Sequence, residues 1–175
     1  MHWTKTIFEV IDMRSFSNLW FWIALAVLWS STSHWVLGVP FDLVQRGARQ
    51  GGQAQQDLED MVRINVNRLL YIGRVSGLWV LGVVCFVLSA LAGLGFWYQI
   101  EIAQAIFLLV FPLSLVGGLS LATARLIEAE GLQGDALHRR LVRHRIYVQI
   151  IGMISIFITA MWGMYQNLAA MPGFG

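Results

Sequence analysis

Charged residues are scarce in this 175-residue sequence: they make up only 13% of it, whereas a typical soluble domain carries about 25%. So few charges cannot cover a surface that faces water. The mean hydropathy is +0.63, and 57% of the residues are hydrophobic. The composition therefore excludes a soluble enzyme, a nucleic-acid-binding domain and a disordered tail, and it indicates a membrane protein.

Cysteine and proline are also scarce, with one cysteine and three prolines. The lone Cys85 has no partner for an intrachain disulfide, and there is no cysteine cluster for zinc or an iron–sulfur centre. The sequence also lacks a glycine-rich phosphate loop, an HExxH motif and a nucleophile paired with a base. We therefore predict a protein that is not an enzyme, that needs no metal and no cofactor apart from bound lipids, and that binds no nucleic acid.

The sequence contains four long stretches without charged residues. Each of four such runs exceeds the roughly 20 residues that a helix needs to cross about 30 Å of hydrocarbon; they cover residues 15–41, 75–100, 102–124 and 146–175. We predict an all-α integral membrane four-helix bundle that forms a single membrane domain over residues 1–175.

The expected elements follow from periodicity and from helix-ending residues. Residues 46–56 are rich in Gly and Gln and predict a mobile loop, and Gly131 is expected to end the third helix. The predicted elements are a short interfacial helix at 3–13, a first span at 18–39, a helix at 54–98 that runs through the second span, a third span with its extension at 102–130, and an extension with the fourth span at 135–168.

The distribution of basic residues predicts the orientation. Ten of the twelve lysines and arginines lie within residues 42–74 and 125–145. Positively charged connections stay in the cytoplasm. We therefore expect these two segments, with their helical extensions, to be cytoplasmic and both termini to be periplasmic.

A polar stripe lies near the end of the first predicted span: Ser30, Ser31, Thr32, Ser33 and His34. Hydroxyl groups can bond to carbonyls of their own helix, and a histidine near a span end can reach the interface. A functional alternative is that the stripe lines a pore or contacts a partner. A further alternative makes His34 and His144, which would share a leaflet, ligands of a haem.

Two other features concern the shape of the helices. Pro112, followed by Gly117 and Gly118, could form a kink that acts as a gate, although membrane helices also tolerate proline as plain geometry. Small residues spaced four apart allow close helix packing, within the chain or between copies of it; the candidates are Gly73, Gly77, Ser155, Thr159 and Gly163.

The second basic segment contains four arginines close together: Arg139, Arg140, Arg143 and Arg145. They could dock anionic lipids at the cytoplasmic face or an acidic surface of a partner. The alternative is that they only set the orientation of the chain, with their side chains extended toward the interface.

Four stretches carry a resemblance to known proteins: MRSFSNLWFWIALAV, SHWVLGVPFDLV, RINVNRLLYIGRVSGLW and GMYQNL. They resemble a group of small four-span proteins of alphaproteobacteria that carry the label "component of SufBCD complex". The resemblance extends over nearly the whole chain. It implies a location in the bacterial inner membrane, and it assigns no role to any residue.

Three functions remain open at this point. The first is a non-enzymatic accessory or scaffold protein that packs with other membrane subunits or with lipids. The second is a homo-oligomeric ion channel or small transporter whose pore is lined by the polar stripe. The third is a haem or quinone redox protein.

Overall fold

The computed structural model describes residues 15–169, which are almost entirely helical. The predicted all-α class is confirmed. The predicted interfacial helix at 3–13 lies outside the described residues. In chain order the elements are a 3-10 turn (Ser15–Ser17), α1 (Leu19–His34), the two-residue strands β1 (Trp35–Val36) and β2 (Val39–Pro40), α2 (Phe41–Gln50), α3 (Gly52–Ala92) continued by a π-helix (Gly93–Trp97), α4 (Glu101–Glu130) and α5 (Gly134–Ala169).

Three helices are long and apolar enough to cross a membrane: α3 with its π-helical continuation, α4 and α5. Helix α1 has 16 residues, which at 1.5 Å per residue makes it about 24 Å long and so shorter than the hydrocarbon layer. The first span, predicted at 18–39, is therefore a shorter helix than expected, because it ends at His34.

A tight hairpin ends α1 before Pro40 is reached. β1 and β2 pair in antiparallel register, with Val36 opposite Val39. The two residues between them, Leu37 and Gly38, have positive φ angles of 52° and 77°, as in the turns that suit two-residue hairpins. Pro40 therefore does not end the helix, since the chain has already turned.

The mobile loop predicted at 46–56 is wrong, because residues 46–50 belong to α2 and residues 52–56 belong to α3. Phe41 and Val44 of α2 are buried, and a Cβ at Gly47 would lie 3.0 Å from Leu58 of α3. The glycine that suggested a loop thus permits close packing of two helices. Gly51 and Gly52, both with positive φ, then turn the chain directly into α3.

The basic segments belong to a part of the molecule with its own packed core. Buried apolar side chains come together there from the hairpin, α2, the first half of α3, the end of α4 and the start of α5; they are Val36, Leu37, Val39, Phe41, Val44, Leu58, Val62, Val66, Leu70, Ala124, Ile127, Leu137 and Leu141. We call this part, residues 35–74 and 124–145, the head.

The remaining helical segments form what we call the stem: residues 19–34, 75–97, 101–123 and 146–169. Its core joins α1, α4 and α5 through Leu25, Trp29, Val116 and Val148. Helix α3 lies beside α4, but the most apolar window of α3 is 0% buried. The stem segment of α3 therefore presents large apolar side chains that the described residues leave uncovered, among them Leu78, Trp79 and Phe86.

Candidate functional site

The polar stripe occupies the last turn of α1, and its hydroxyls divide into two kinds. Thr32 Oγ1 donates to the carbonyl of Leu28 over 2.8 Å, and Ser33 Oγ donates to the carbonyl of Trp29 over 2.6 Å. Ser30 and Ser31 are exposed, and their hydroxyls make no hydrogen bond to a described residue. Two hydroxyls are thus available to another molecule.

Arg145 of α5 connects this stripe to the basic segment. Its Nε donates to the backbone carbonyl of Ser33 over 3.2 Å, and its guanidinium carbon lies 3.7 Å from the centre of the Phe41 ring. A cation at the C-terminal end of α1 is stabilised by the partial negative charge of the last carbonyls. The stacked ring and the hydrogen bond together fix the position of the guanidinium.

A polar surface pocket of about 390 Å³ lies at this junction, and we call it the α1 pocket. Its lining residues are Ser30, Ser31, Ser33, His34, Trp35 and Arg145. His34 is half exposed, and its Nε2 lies 3.6 Å from Asp42 Oδ1. The structure therefore brings most of the predicted stripe together with one of the four predicted docking arginines.

The other three docking arginines have different surroundings. Arg139 and Arg143 are exposed. Arg140 is partly buried, and its Nε has no hydrogen-bond partner among the described residues. The four arginines thus do not converge on the α1 pocket, and Arg145 alone lines it.

The two histidines proposed as haem ligands have different neighbours. His34 faces the α1 pocket and Asp42, whereas His144 is buried and its Nδ1 lies 3.0 Å from Thr123 Oγ1 of α4. Within residues 15–169, no three His, Cys, Asp or Glu side chains form a group that could hold a metal ion.

The predicted kink residues lie in a continuous helix. Pro112 is buried inside α4, which runs unbroken from Glu101 to Glu130. A Cβ at Gly117 or Gly118 would meet nothing within 4 Å. Both glycines are therefore exposed positions of α4 that the described residues do not pack against.

The small residues predicted to pack helices differ in what they contact. A Cβ at Gly73 would lie 2.9 Å from Leu121 of α4, and one at Gly163 would lie 3.1 Å from the ring of Trp22, whereas Gly77 has nothing within 4 Å. Ser155 and Thr159 are both buried. Sequence reasoning missed Gly152, where a Cβ would lie 2.8 Å from the Trp29 ring.

The surface of the head carries an apolar groove of about 610 Å³, which we call the head groove. Its apolar lining includes Trp35, Pro40, Met61 and Ile64, and Asp57 and Asp60 are among its polar residues. Ile64 is 63% exposed and Met61 is 41% exposed. The buried positions of α3 are Leu58, Val62, Val66 and Leu70, so Met61 and Ile64 lie on its outer face.

A buried glutamine organises the end of the stem opposite the head. Gln104 of α4 is fully buried, and its Nε2 donates to the carbonyl of Gly95 in the π-helix over 2.8 Å. Its Oε1 accepts from Trp162 Nε1 at 2.9 Å and from Gln166 Nε2 at 2.7 Å. The sequence signal for this residue is a lone glutamine within the uncharged run 102–124.

Contacts of Glu59 and of Arg74 connect α3 to the neighbouring helices of the head. Glu59 Oε1 accepts from Gln55 Nε2 and from the backbone N–H of Gly134, both at 2.8 Å. The hydrogen bond from Gln55, followed by that from Gly134, lowers the pKa of Glu59 against a smaller opposing effect of burial. Arg74 pairs with Glu128 over 2.6 Å, and these contacts tie α3 to α4 and to the start of α5.

Comparisons of the chain with models of protein families, with curated proteins and with solved structures find no match.

Proposed function

We propose that this chain is a non-enzymatic accessory or scaffold protein of the bacterial inner membrane, which packs with other membrane subunits and with lipids. In this proposal α1, α3, α4 and α5 all cross the bilayer, the head lies in the cytoplasm and both termini are periplasmic. The uncharged runs and the arginines gathered in the head support this orientation. The short α1 can span the hydrocarbon layer where the bilayer thins locally or where the preceding turn, Ser15–Ser17, adds to its length.

The head groove is the observation that carries the accessory role. Ile64 precedes the uncharged run that starts at Val75 by eleven residues, or about 16 Å along the helix. The headgroup layer is only about 5–7 Å thick on each side of the hydrocarbon. In this orientation the α3 side of the groove, with Met61 and Ile64, thus faces water, where contiguous exposed apolar side chains mark a protein contact, while Trp35 at its other side lies at the headgroup level.

The charges beside the groove indicate the kind of partner. Asp57 and Asp60 are both exposed, and Asp60 pairs with Arg63 at 2.8 Å. Acidic residues around an apolar surface favour a partner segment that presents apolar side chains flanked by lysine or arginine. We therefore expect the partner to carry such a segment on its cytoplasmic side.

Site-specific photo-crosslinking in native membranes tests this role. With a photoreactive amino acid in place of Ile64, we expect one discrete adduct with a different protein, and we expect the added substitution Met61→Lys to abolish it by placing a charge in the groove. The matched control position is Gln56, an exposed residue of α3 outside the groove, which should give no such adduct. Identical adducts from both positions, or adducts only with a second copy of this chain, would contradict the proposal.

Cysteine labelling tests the orientation separately. In a Cys85→Ala background, an impermeant maleimide should label Gln99→Cys from the periplasm, since residue 99 lies between the π-helix and α4. Gln133→Cys, in the turn between α4 and α5, should be labelled only after the inner membrane is opened. Both residues are exposed, so accessibility within the protein does not bias the comparison. The reverse pattern would overturn the orientation.

A further inference from the structure

The α1 pocket lies at a depth that the sequence defines. Arg145 is the last charged residue before the uncharged run 146–175, and it bonds to Ser33 at the end of α1. Trp35, which is half exposed, lies beside it, and tryptophan is enriched at the level of lipid headgroups. The pocket is therefore at the boundary between hydrocarbon and water.

The pocket offers donors that are fixed in place and unused. Arg145 is held by Ser33 and Phe41 through its Nε and its ring contact, while its terminal Nη groups have no partner among the described residues. A planar guanidinium with two free parallel N–H groups fits the oxygens of a phosphate. The free hydroxyls of Ser30 and Ser31 line the same pocket.

An apolar strip continues from the pocket toward the middle of the membrane. Val27 and Ile23 lie one and two helical turns before Ser31 on the same side of α1, and they are 59% and 42% exposed. A molecule with its phosphate in the pocket could therefore lay an acyl chain along α1. A free phosphate would make no use of this strip.

Asp42, the acidic residue beside His34, does not prevent an anion from binding in the pocket. Asp42 faces His34 at 3.6 Å, and its side chain is 79% exposed, so solvent screens much of its charge. Asp42 is not among the residues that line the pocket. The positive charge of Arg145 therefore dominates the lining.

We propose that the α1 pocket binds the phosphodiester of an anionic phospholipid, with Arg145, Ser30 and Ser31 as hydrogen-bond donors. The proposed orientation places this lipid in the cytoplasmic leaflet, but the site itself does not depend on the orientation or on the accessory role. The proposal narrows the docking surface expected from four arginines to one arginine and two serines.

Native mass spectrometry with added phosphatidylglycerol tests the site. The wild-type protein should retain one lipid per chain more strongly than it retains any further lipid. The variants Arg145→Gln and Ser30→Val/Ser31→Val should each bind the first lipid at least about tenfold more weakly, as expected when charge-assisted hydrogen bonds are lost. Arg143→Gln is the matched control and should bind as the wild type does, because Arg143 is exposed and does not line the pocket.

The serine variant keeps the test decisive even if Arg145→Gln unfolds, because Ser30 and Ser31 are exposed and their hydroxyls make no hydrogen bond to a described residue. An equal loss in Arg143→Gln, or no loss in the serine variant, would show attraction by the overall basic charge and overturn the proposal. Inorganic phosphate is the second probe. If millimolar phosphate displaces the lipid, the site recognises a soluble phosphate and the lipid assignment is wrong.

Discussion

Gly152→Ala is expected to destabilise the protein, although alanine is the better helix former by about 1 kcal/mol. The added Cβ would lie 2.8 Å from one carbon of the Trp29 ring and 3.2 Å from the next, and a rigid ring held in the stem core cannot move aside as the end of a flexible chain can. Overpacking of this kind costs about 1–3 kcal/mol. Since Trp29 belongs to α1 and Gly152 to α5, the substitution should loosen α1 from the rest of the stem.

The matched control is Gly117→Ala, the same chemical change on α4 at a position where a Cβ would meet no atom of residues 15–169 within 4 Å. Unfolding in mixed micelles of dodecylmaltoside and SDS, followed by tryptophan fluorescence, gives the free energy for both variants. We expect a lower free energy of unfolding for Gly152→Ala and an unchanged or higher one for Gly117→Ala. Equal values would mean that α1 does not pack against α5 at Trp29.

Gln104→Leu is expected to lower the free energy of unfolding by more than Gly152→Ala does. The leucine has similar volume but leaves the Gly95 carbonyl and the N–H groups of Trp162 and Gln166 without their partner. A buried polar group left unpaired costs about 1–3 kcal/mol, and because two of these partners are only partly buried we expect a total of about 2–4 kcal/mol. The substitution should also loosen the π-helix, since Gln104 connects it to α5.

Gln149→Leu is the matched control for this substitution. Gln149 lies in α5 within an uncharged run, is exposed and makes no hydrogen bond to a described residue, so in lipid or detergent the leucine should be neutral or stabilising. The same unfolding assay should separate the two variants by at least about 2 kcal/mol. Indistinguishable curves would show that the Gln104 network contributes nothing to stability.

The candidate membrane spans could be predicted from the sequence, because they depend on local composition. Hydrocarbon excludes charge, so an uncharged run of sufficient length marks a candidate span whatever it packs against, and three helices of this kind are present. The end of α4 could also be predicted, because it depends on a single residue. Gly131 has the left-handed conformation expected of a helix-ending glycine, with φ 56° and ψ 41°.

Features that depend on distant contacts could not be predicted. Helix α2 contains Gly47 and four glutamine or arginine residues, a composition typical of a loop. It is stabilised by the head core, most of whose other members follow later in the chain. The polar stripe was visible in the sequence, but its contact with Arg145 joins residues 112 positions apart. No local sequence pattern indicates a contact between residues so far apart in the chain.

The accessory role is tested most directly by native mass spectrometry of the protein gently extracted from its own membranes. We expect a defined complex with a different protein, absent from Ile64→Lys and retained in Gln56→Lys. A closed ring of identical subunits would contradict this role and favour a pore lined by residues 30–34. A bare monomer from the wild-type protein, extracted under conditions that keep other membrane complexes intact, would contradict it as well.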